Sequence, residues 1–221
     1  RYRGPVSSTD LFDARGQTGC LITADGLRLK LRRGVFVPRG ESRHSIRAAV
    51  RVLDELASPD LRLLDVTLGV GNVVLPLLKR YPHARAWGMD INPTAVALAR
   101  ENADGNGLGQ QVGAFEQQDL KDFKPMQGQT SSFHLILANP PYSAEKAERL
   151  KNYQEQSESG KSGSLLLSVA HLAQAALAPE GRLVLQVPQE ETGFIARVLC
   201  ADGHLVVEDE TRNTLTLAVA K

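Results

Sequence analysis

Four successive residues, Asn139-Pro140-Pro141-Tyr142, carry groups that could do chemistry together. The Asn139 side-chain oxygen and the Pro140 backbone carbonyl can each accept one N–H bond from a planar NH2 group. Two such acceptors would fix the orientation of that nitrogen and disperse positive charge as it develops during attack on a donor. Tyr142 can pack against a flat amide or base, and the two prolines stiffen the turn so that the Pro140 carbonyl is already aimed. An amide nitrogen is a poor nucleophile, because its lone pair is delocalised into the carbonyl. Alignment against an already activated donor is therefore the help it most needs, with no metal or strong general base required. Read only as structure, the same four residues are a loop with a turn-forming Asn-Pro and a core tyrosine.

A second set of residues suits a nucleotide-like ligand. Gly69 and Gly71 let the backbone approach a ligand closely in a tight turn after a short apolar run that ends at Asp65. Thr67 stands where an early glycine would complete a dinucleotide fingerprint, so the loop is less specific than G-x-G-x-x-G. Asp90 lies about 20 residues beyond this turn, the spacing at which a carboxylate accepts bonds from ribose hydroxyls. Its other reading is a cap for the helix that Pro93 opens. Asp119 follows the next apolar segment, where it either meets an exocyclic amine of adenine or caps the segment after it.

The elements that must position these residues are legible from periodicity. Leu61 to Asp65, the segment closing at Trp87-Gly88-Met89-Asp90, Val112 to Phe115, Phe133 to Ala138, Arg182 to Val187, Leu205 to Glu208 and Thr214 to Val219 read as seven strands. Helices are predicted from Asn72 as cap through Arg80, from Pro93 to about Gly105, from Ser164 to Leu177 and over Phe194 to Leu199. Alternating strands and helices imply an α/β fold with a mostly parallel sheet covered on both faces. Ligands bind at the carboxyl edge of such a sheet, and that edge is where Asp65, Asp90, Asp119 and Asn139 all fall. Pro140 and Pro141 cannot donate to a sheet ladder, so the strand ahead of them must end. Upstream, Cys20 to Ala24 and Leu27 to Leu31 flank Asp25-Gly26, a pair suited to a type I′ hairpin turn. A helix is predicted from Ser42 or Arg43 to Ala57, with Ile46, Ala49, Val50, Leu53 and Leu56 on its buried face. Residues 1 to 19 are polar and irregular, an arm or a short helix. Residues 143 to 163 are strongly polar, either a substrate lid or a plain connector. The organisation expected is an N-terminal arm and β-hairpin over 1–45 followed by one domain over 46–221.

Together, Asp65-x-Thr67-x-Gly69-x-Gly71, Asp90, Asp119 and Asn139-Pro140-Pro141-Tyr142 resemble the class I S-adenosylmethionine-dependent methyltransferases. Gly26-Leu27-x-Leu29-x-Leu31 and Val35-Phe36-Val37-Pro38-Arg39-Gly40-Glu41-Ser42 are similar to the hairpin and the "VLIPRPETE"-like stretch of the protein-(glutamine-N5) methyltransferases that modify peptide release factors. The resemblance implies a Rossmann-like fold, a seven-stranded sheet preceded by a β-hairpin, and S-adenosylmethionine as cofactor. It implies that the loop over Asp65, Thr67, Gly69 and Gly71 wraps the methionine part, that Asp90 with Ile91 holds the ribose, and that Asp119 with Leu120 meets the adenine. Asn139, Pro140, Pro141 and Tyr142 would hold the acceptor nitrogen, Asn139 also bordering the cofactor, with Asn139, Pro140 and Tyr142 in the catalytic role. Arg39 and Glu41 would cover the cofactor carboxylate or border the substrate entrance, unless they are only surface ion pairs. Phe36 would pack on the cofactor or, the expectation preferred here, in the core. The sequence departs from the family pattern at Gly40, Ser42 and Thr67. The N-terminal helical domain with which bacterial release-factor enzymes hold their substrate has no counterpart ahead of the hairpin.

Composition narrows the classes further. A hydrophobic content of 42% and a charged content of 23% are those of a globular protein. No apolar run reaches the length of a membrane helix and no signal-peptide pattern is present, so a cytoplasmic protein is expected. Cys20 and Cys200 form no metal or redox motif and read as buried small apolar residues; the five histidines lack ligand spacing, so no metal is expected. Net charge is only +1, yet residues 1–47 carry ten Lys and Arg against four Asp and Glu, which suits contact with something anionic or a merely solvated face. The expected activity is N-methylation of a planar amide or amino nitrogen, with a protein glutamine side chain the first candidate. Adenine-N6 of RNA or DNA, which the basic N-terminal region favours, and a small-molecule amine or amide are the alternatives. A non-enzymatic partner subunit is a further alternative, with Thr67 its best argument. The first residue is Arg1 rather than Met, the mark of a processed product or of a piece of a longer protein.

Overall fold

A computed structural model describes residues 18–38, 40–124, 126, 132–140, 162–187, 189, 192–200, 205–211 and 214–219. Two strands, β1 (Thr18–Ile22) and β2 (Arg28–Arg32), pair antiparallel ahead of helix α1 (Ser42–Leu56). The chain then alternates β3 (Arg62–Asp65), α2 (Val74–Arg80), β4 (Arg85–Asp90), α3 (Pro93–Gly105), β5 (Val112–Gln117) and β6 (Phe133–Ala138). It closes with α4 (Ser162–Ala176), β7 (Leu177–Gln186), α5 (Thr192–Leu199), β8 (Leu205–Thr211) and β9 (Thr214–Val219). Seven strands form one sheet in the order β5-β4-β3-β6-β7-β9-β8, and β9 alone runs against the others. The expected fold class, a Rossmann-like α/β sheet with a hairpin in front, is the one found.

Strand alternation divides the apolar residues between two cores. Leu63, Leu135, Leu137 and Val184 face α1, α2, α3 and the hairpin, whereas Leu64, Ile136, Leu183 and Leu185 face α4 and α5. Covered on both sides, β6 is buried at all six positions, which is why it reads as an unbroken apolar run in the sequence. Strand order reverses between β3 and β6, and their carboxyl ends diverge into a crevice at that switch point.

Several local expectations are corrected. The hairpin loop is not type I′: Gly26 N–H bonds Thr23 O at 3.0 Å and Thr23 N–H bonds Leu27 O at 2.9 Å, and among Ala24, Asp25 and Gly26 only the glycine has a positive φ. That is a three-residue loop whose last position is left-handed, the geometry of a type I turn with a bulge. On α1 the buried residues are Ser42, Ser45, Ala48, Ala49, Val52 and Leu53, with Ile46, Val50 and Leu56 only partly covered. The helix is thus rotated to bring small polar residues inward, where they meet partners described below. Helix α2 begins after Val73 without a side-chain cap, because the Asn72 carboxamide is engaged with Ser42 instead. Strand β7 begins at Leu177, before the predicted Arg182. Pairings Phe133 with Leu177 and Leu135 with Arg182 leave Pro179 and Glu180 in an exposed bulge rather than in a helix-ending turn. Cys20 is exposed and Cys200 half-buried: Cys20 pairs with Lys30 and so shares the outward face of the hairpin.

The hairpin is latched to α3 by two asparagines one helical turn apart. Asn102 accepts from Lys30 N–H at 2.7 Å and donates to Lys30 O at 3.2 Å and Val70 O at 3.0 Å. Asn106 accepts from Arg28 N–H and donates to Arg28 O, both at 2.9 Å. Spacing of i, i+4 on the helix matches alternate residues on β2, so side chains replace a missing neighbouring strand at that edge. Leu27, Leu29 and Leu31 share a core with α1, α2 and α3, and the boundary expected between residues 45 and 46 falls inside α1.

Candidate active site

The crevice between β3 and β6 is lined by residues from several elements. Asp65, Val66, Thr67 and Gly69 come from β3 and its loop, and Asp90, Ile91 and Asn92 from the end of β4. Gln118, Asp119, Leu120 and Lys121 follow β5, while Leu137, Ala138, Asn139 and Pro140 end β6. Val35 and Phe36 arrive from the segment after β2, Ser45 from α1 and Leu165 from α4. Residues far apart in sequence meet here because every one of those strands ends at the same sheet edge.

The loop after β3 is held by the carboxylates it serves. Asp65, 3% exposed, accepts from Thr67 N–H at 3.0 Å. Asp90 accepts from Gly69 N–H at 2.8 Å with one oxygen and from Asn92 N–H at 2.9 Å with the other. Gly69 and Gly71 both have positive φ, 53° and 80°, and a β-carbon at Gly71 would lie 2.8 Å from Leu75. Asp90 does not cap α3; Asn92 does, accepting from Thr94 N–H at 2.9 Å. Asp90 therefore braces the glycine loop while still facing the cleft, with lone pairs left for further donors. Asp119 has both roles open to it: it accepts from Lys121 N–H at 3.0 Å at the start of a single 3-10 turn, Leu120–Asp122, and it lines the cleft.

The electrostatics follow from burial. Desolvation pushes the Asp65 carboxyl up to about 7; the Thr67 N–H opposes the rise, the nearby Asp90 charge adds to it, and the Thr67 hydroxyl opposes it again. Desolvation also raises Asp90, against the N–H bonds from Asn92 and Gly69. Two carboxylates set close together in a dry crevice attract a cation.

The acceptor turn starts at Asn139, whose backbone N–H donates to Thr67 Oγ1 at 2.7 Å. Pro140 is buried, Asn139 half-buried, and among the described residues no side chain or backbone group engages the Asn139 carboxamide. Pro141, Tyr142, Arg39 and most of the polar stretch 143–163 lie outside the described residues. Glu41 is exposed at the start of α1 and is not among the cleft-lining residues; Gly71 sits behind the loop rather than on the cleft wall.

Residues 27–193 match the family model described as the methyltransferase small domain. The chain belongs to that family. The release factor glutamine methyltransferase of Deinococcus radiodurans is 30% identical to this chain over 187 residues, 80% of this chain and 63% of that protein. The chain thus spans less than two thirds of the length of that curated relative. Two solved structures share the fold. A ribosomal protein L11 methylase from Lactobacillus delbrueckii subsp. bulgaricus superposes with a TM-score of 0.59 at 17% identity, over 86% of this chain and 84% of that one. The magnesium protoporphyrin IX methyltransferase of Synechocystis PCC 6803, solved with bound SAM, gives 0.56 at 19% identity, over 82% and 80%.

The cofactor of class I methyltransferases is S-adenosylmethionine, and this donor set fits it. Asp65 is a buried acid without a cationic partner among the described residues, placed for the ammonium or sulfonium side of such a molecule. Asp90 offers free lone pairs for hydroxyls, and Leu120 with Ile91 supplies apolar walls for a flat base. Among the described residues no helix is long and apolar enough to cross a membrane, and no cluster of His, Cys, Asp or Glu could hold a metal ion.

Other cleft residues were only partly legible in the sequence. Phe36, expected in the core, is half-buried on the cleft wall. Its segment is tied down by Asn92 Nδ2 donating to Gly34 O at 2.9 Å. Ser45 donates to Gln186 Oε1 at 3.1 Å deep in the protein, and Ser42 accepts from Asn72. Two serines on an otherwise apolar helix face were the available signal, since buried hydroxyls need partners.

Proposed function

We propose that this methyltransferase transfers a methyl group to the side-chain amide nitrogen of a protein glutamine. What carries the proposal is the placement of Asn139 and buried Pro140 at the carboxyl end of β6, across the crevice from Asp65 and Asp90, with the Asn139 carboxamide unengaged among the described residues. Both hydrogens of an incoming NH2 group have an acceptor there: the Asn139 side-chain oxygen and the Pro140 carbonyl. The relatives named release factor glutamine methyltransferases support the same acceptor class. S-adenosylmethionine supplies an electrophilic methyl on a sulfonium. Asp65 and Asp90 would hold it, and Asn139 with Pro140 would orient the amide nitrogen toward its methyl group. On transfer the sulfonium would give up its methyl to nitrogen and leave as a neutral thioether, and the displaced amide proton would pass to water. A positioned pair of acceptors stabilises the partial positive charge on nitrogen at no reorganisation cost.

The basic hairpin gives limited support to a nucleic-acid acceptor. Lys30 and Arg32 both pair with Glu101, the latter at 2.8 Å, so one carboxylate already offsets part of the charge on its outward face. The test is transfer of labelled methyl from S-adenosylmethionine to a glutamine-bearing release-factor domain and, in parallel, to single-stranded RNA and DNA. Label is expected in the protein, recovered as methylamine after acid hydrolysis of the amide. Asn139→Ala should abolish transfer while leaving cofactor affinity within about threefold, since the interaction it removes is made chiefly to the acceptor. Label confined to nucleic acid, with steep salt dependence, would overturn the glutamine reading.

A further inference from the structure

We propose that Thr67 is a positioning residue that ties the acceptor turn to the cofactor loop, its hydroxyl holding the Asn139 backbone N–H while its own backbone is fixed on Asp65. This rests on the assignment of Asn139 to the acceptor, and it assigns a job to the residue at which the chain departs from the family's glycine.

The geometry starts from the β3–β6 ladder. Val66 N–H donates to Leu137 O at 3.0 Å. In a regular parallel ladder the next rung would take Asn139 N–H to the carbonyl of Val66. It goes instead to Thr67 Oγ1 at 2.7 Å. The chain at Asn139 has therefore left the path of the sheet, and a side chain from the neighbouring loop receives the first amide beyond the strand. Thr67 is itself anchored, donating its N–H to Asp65 Oδ1 at 3.0 Å. Its β-branched side chain has few rotamers, so the hydroxyl stays where the backbone puts it. The same hydroxyl lies near enough to the Asp65 carboxyl to lower its proton affinity. Thr67 thus links the two sides of the crevice, its hydroxyl holding Asn139 N–H and its backbone N–H bonded to Asp65.

The consequence is a fixed distance between the two halves of the reaction. A displacement requires the acceptor nitrogen in line with the breaking bond, and a misplacement of about 1 Å costs on the order of 100-fold in rate. A glycine at position 67 offers no side-chain acceptor, and the turn would then rest on its prolines alone.

Thr67→Val keeps the shape and removes the acceptor. With a glutamine-bearing release-factor domain as substrate, kcat should fall about 10- to 100-fold while cofactor affinity by calorimetry stays within about threefold. Thr67→Ser should recover most of the rate, because it restores the hydroxyl. A second readout needs no acceptor: hydrogen exchange of the Asn139 amide, followed by 15N NMR, should accelerate in Thr67→Val and stay slow in Thr67→Ser. Unchanged Asn139 exchange in the valine variant overturns the proposal, as does a serine variant as impaired as valine. If wild-type protein methylates no glutamine, the assigned activity fails while the amide exchange still decides the role of Thr67.

Discussion

Replacing Asp65 by asparagine should strengthen the fold and weaken the function, and the pH at which each happens is set by the cleft. Burial moves the Asp65 carboxyl from 3.8 to about 7. In the folded protein the acid is thus protonated over a range in which the unfolded chain has already ionised it. The stability contributed by the protonated form is fully present below 3.8 and is lost as pH rises through about 7. At 1.36 kcal/mol per pH unit the whole interval amounts to about 4 kcal/mol, and the part below pH 5 to about 2 kcal/mol. The asparagine side chain would keep an oxygen for the Thr67 N–H and would never ionise. Asp65→Asn should therefore raise thermal stability by several degrees at pH 8 and by less than half as much at pH 5, at roughly 2 to 4 °C per kcal/mol for a chain of this size. Cofactor binding should respond in the opposite sense. Affinity of wild-type protein should climb with pH toward 7 and then level off, with proton release near pH 7, whereas the variant should bind more weakly and almost independently of pH. Differential scanning calorimetry and titration calorimetry in two buffers measure both. A stability gain equal at pH 5 and pH 8, or an affinity profile in the variant that still follows pH, would refute the account of a buried acid awaiting a cation.

Two further perturbations separate ligand contacts from scaffolding. Asp90→Ala should lower cofactor affinity about 10- to 100-fold, the loss expected for charge-assisted bonds to two hydroxyls, and should loosen the loop because the Gly69 and Asn92 amides lose their acceptor; an unchanged calorimetric affinity would refute the ribose role. Asn102→Ala should cost about 2 to 3 kcal/mol in urea denaturation, since it strips partners from both backbone groups of Lys30 and from Val70 O. Exchange of the β2 amides should quicken in that variant with cofactor affinity nearly intact, and an intact hairpin would show that leucine packing alone holds it.

Much of the fold is written in local pattern. The unbroken apolar stretch of β6, the prolines that end it, the β-α alternation and the spacing from Gly69 to Asp90 each follow from the covalent chemistry of neighbouring residues, so they are legible one segment at a time. Asp65, Asp90, Asp119 and Asn139 could be placed at one edge because parallel strands all point the same way. The sequence determined which groups reach the cleft from the strand ends, and the resemblance of its motifs supplied the cofactor. Tertiary structure decided what those groups do to one another. Thr67 looked like a damaged glycine, and only the approach of β6 to β3 gave its hydroxyl the Asn139 amide. Asp90 looked like a helix cap or a ribose ligand, and packing of two loops made it a brace for Gly69 as well. Ser42 and Ser45 signalled at most that buried hydroxyls need partners. Which partners they meet, 30 and 141 residues away, is fixed by the crossing of elements and not by any spacing along the chain.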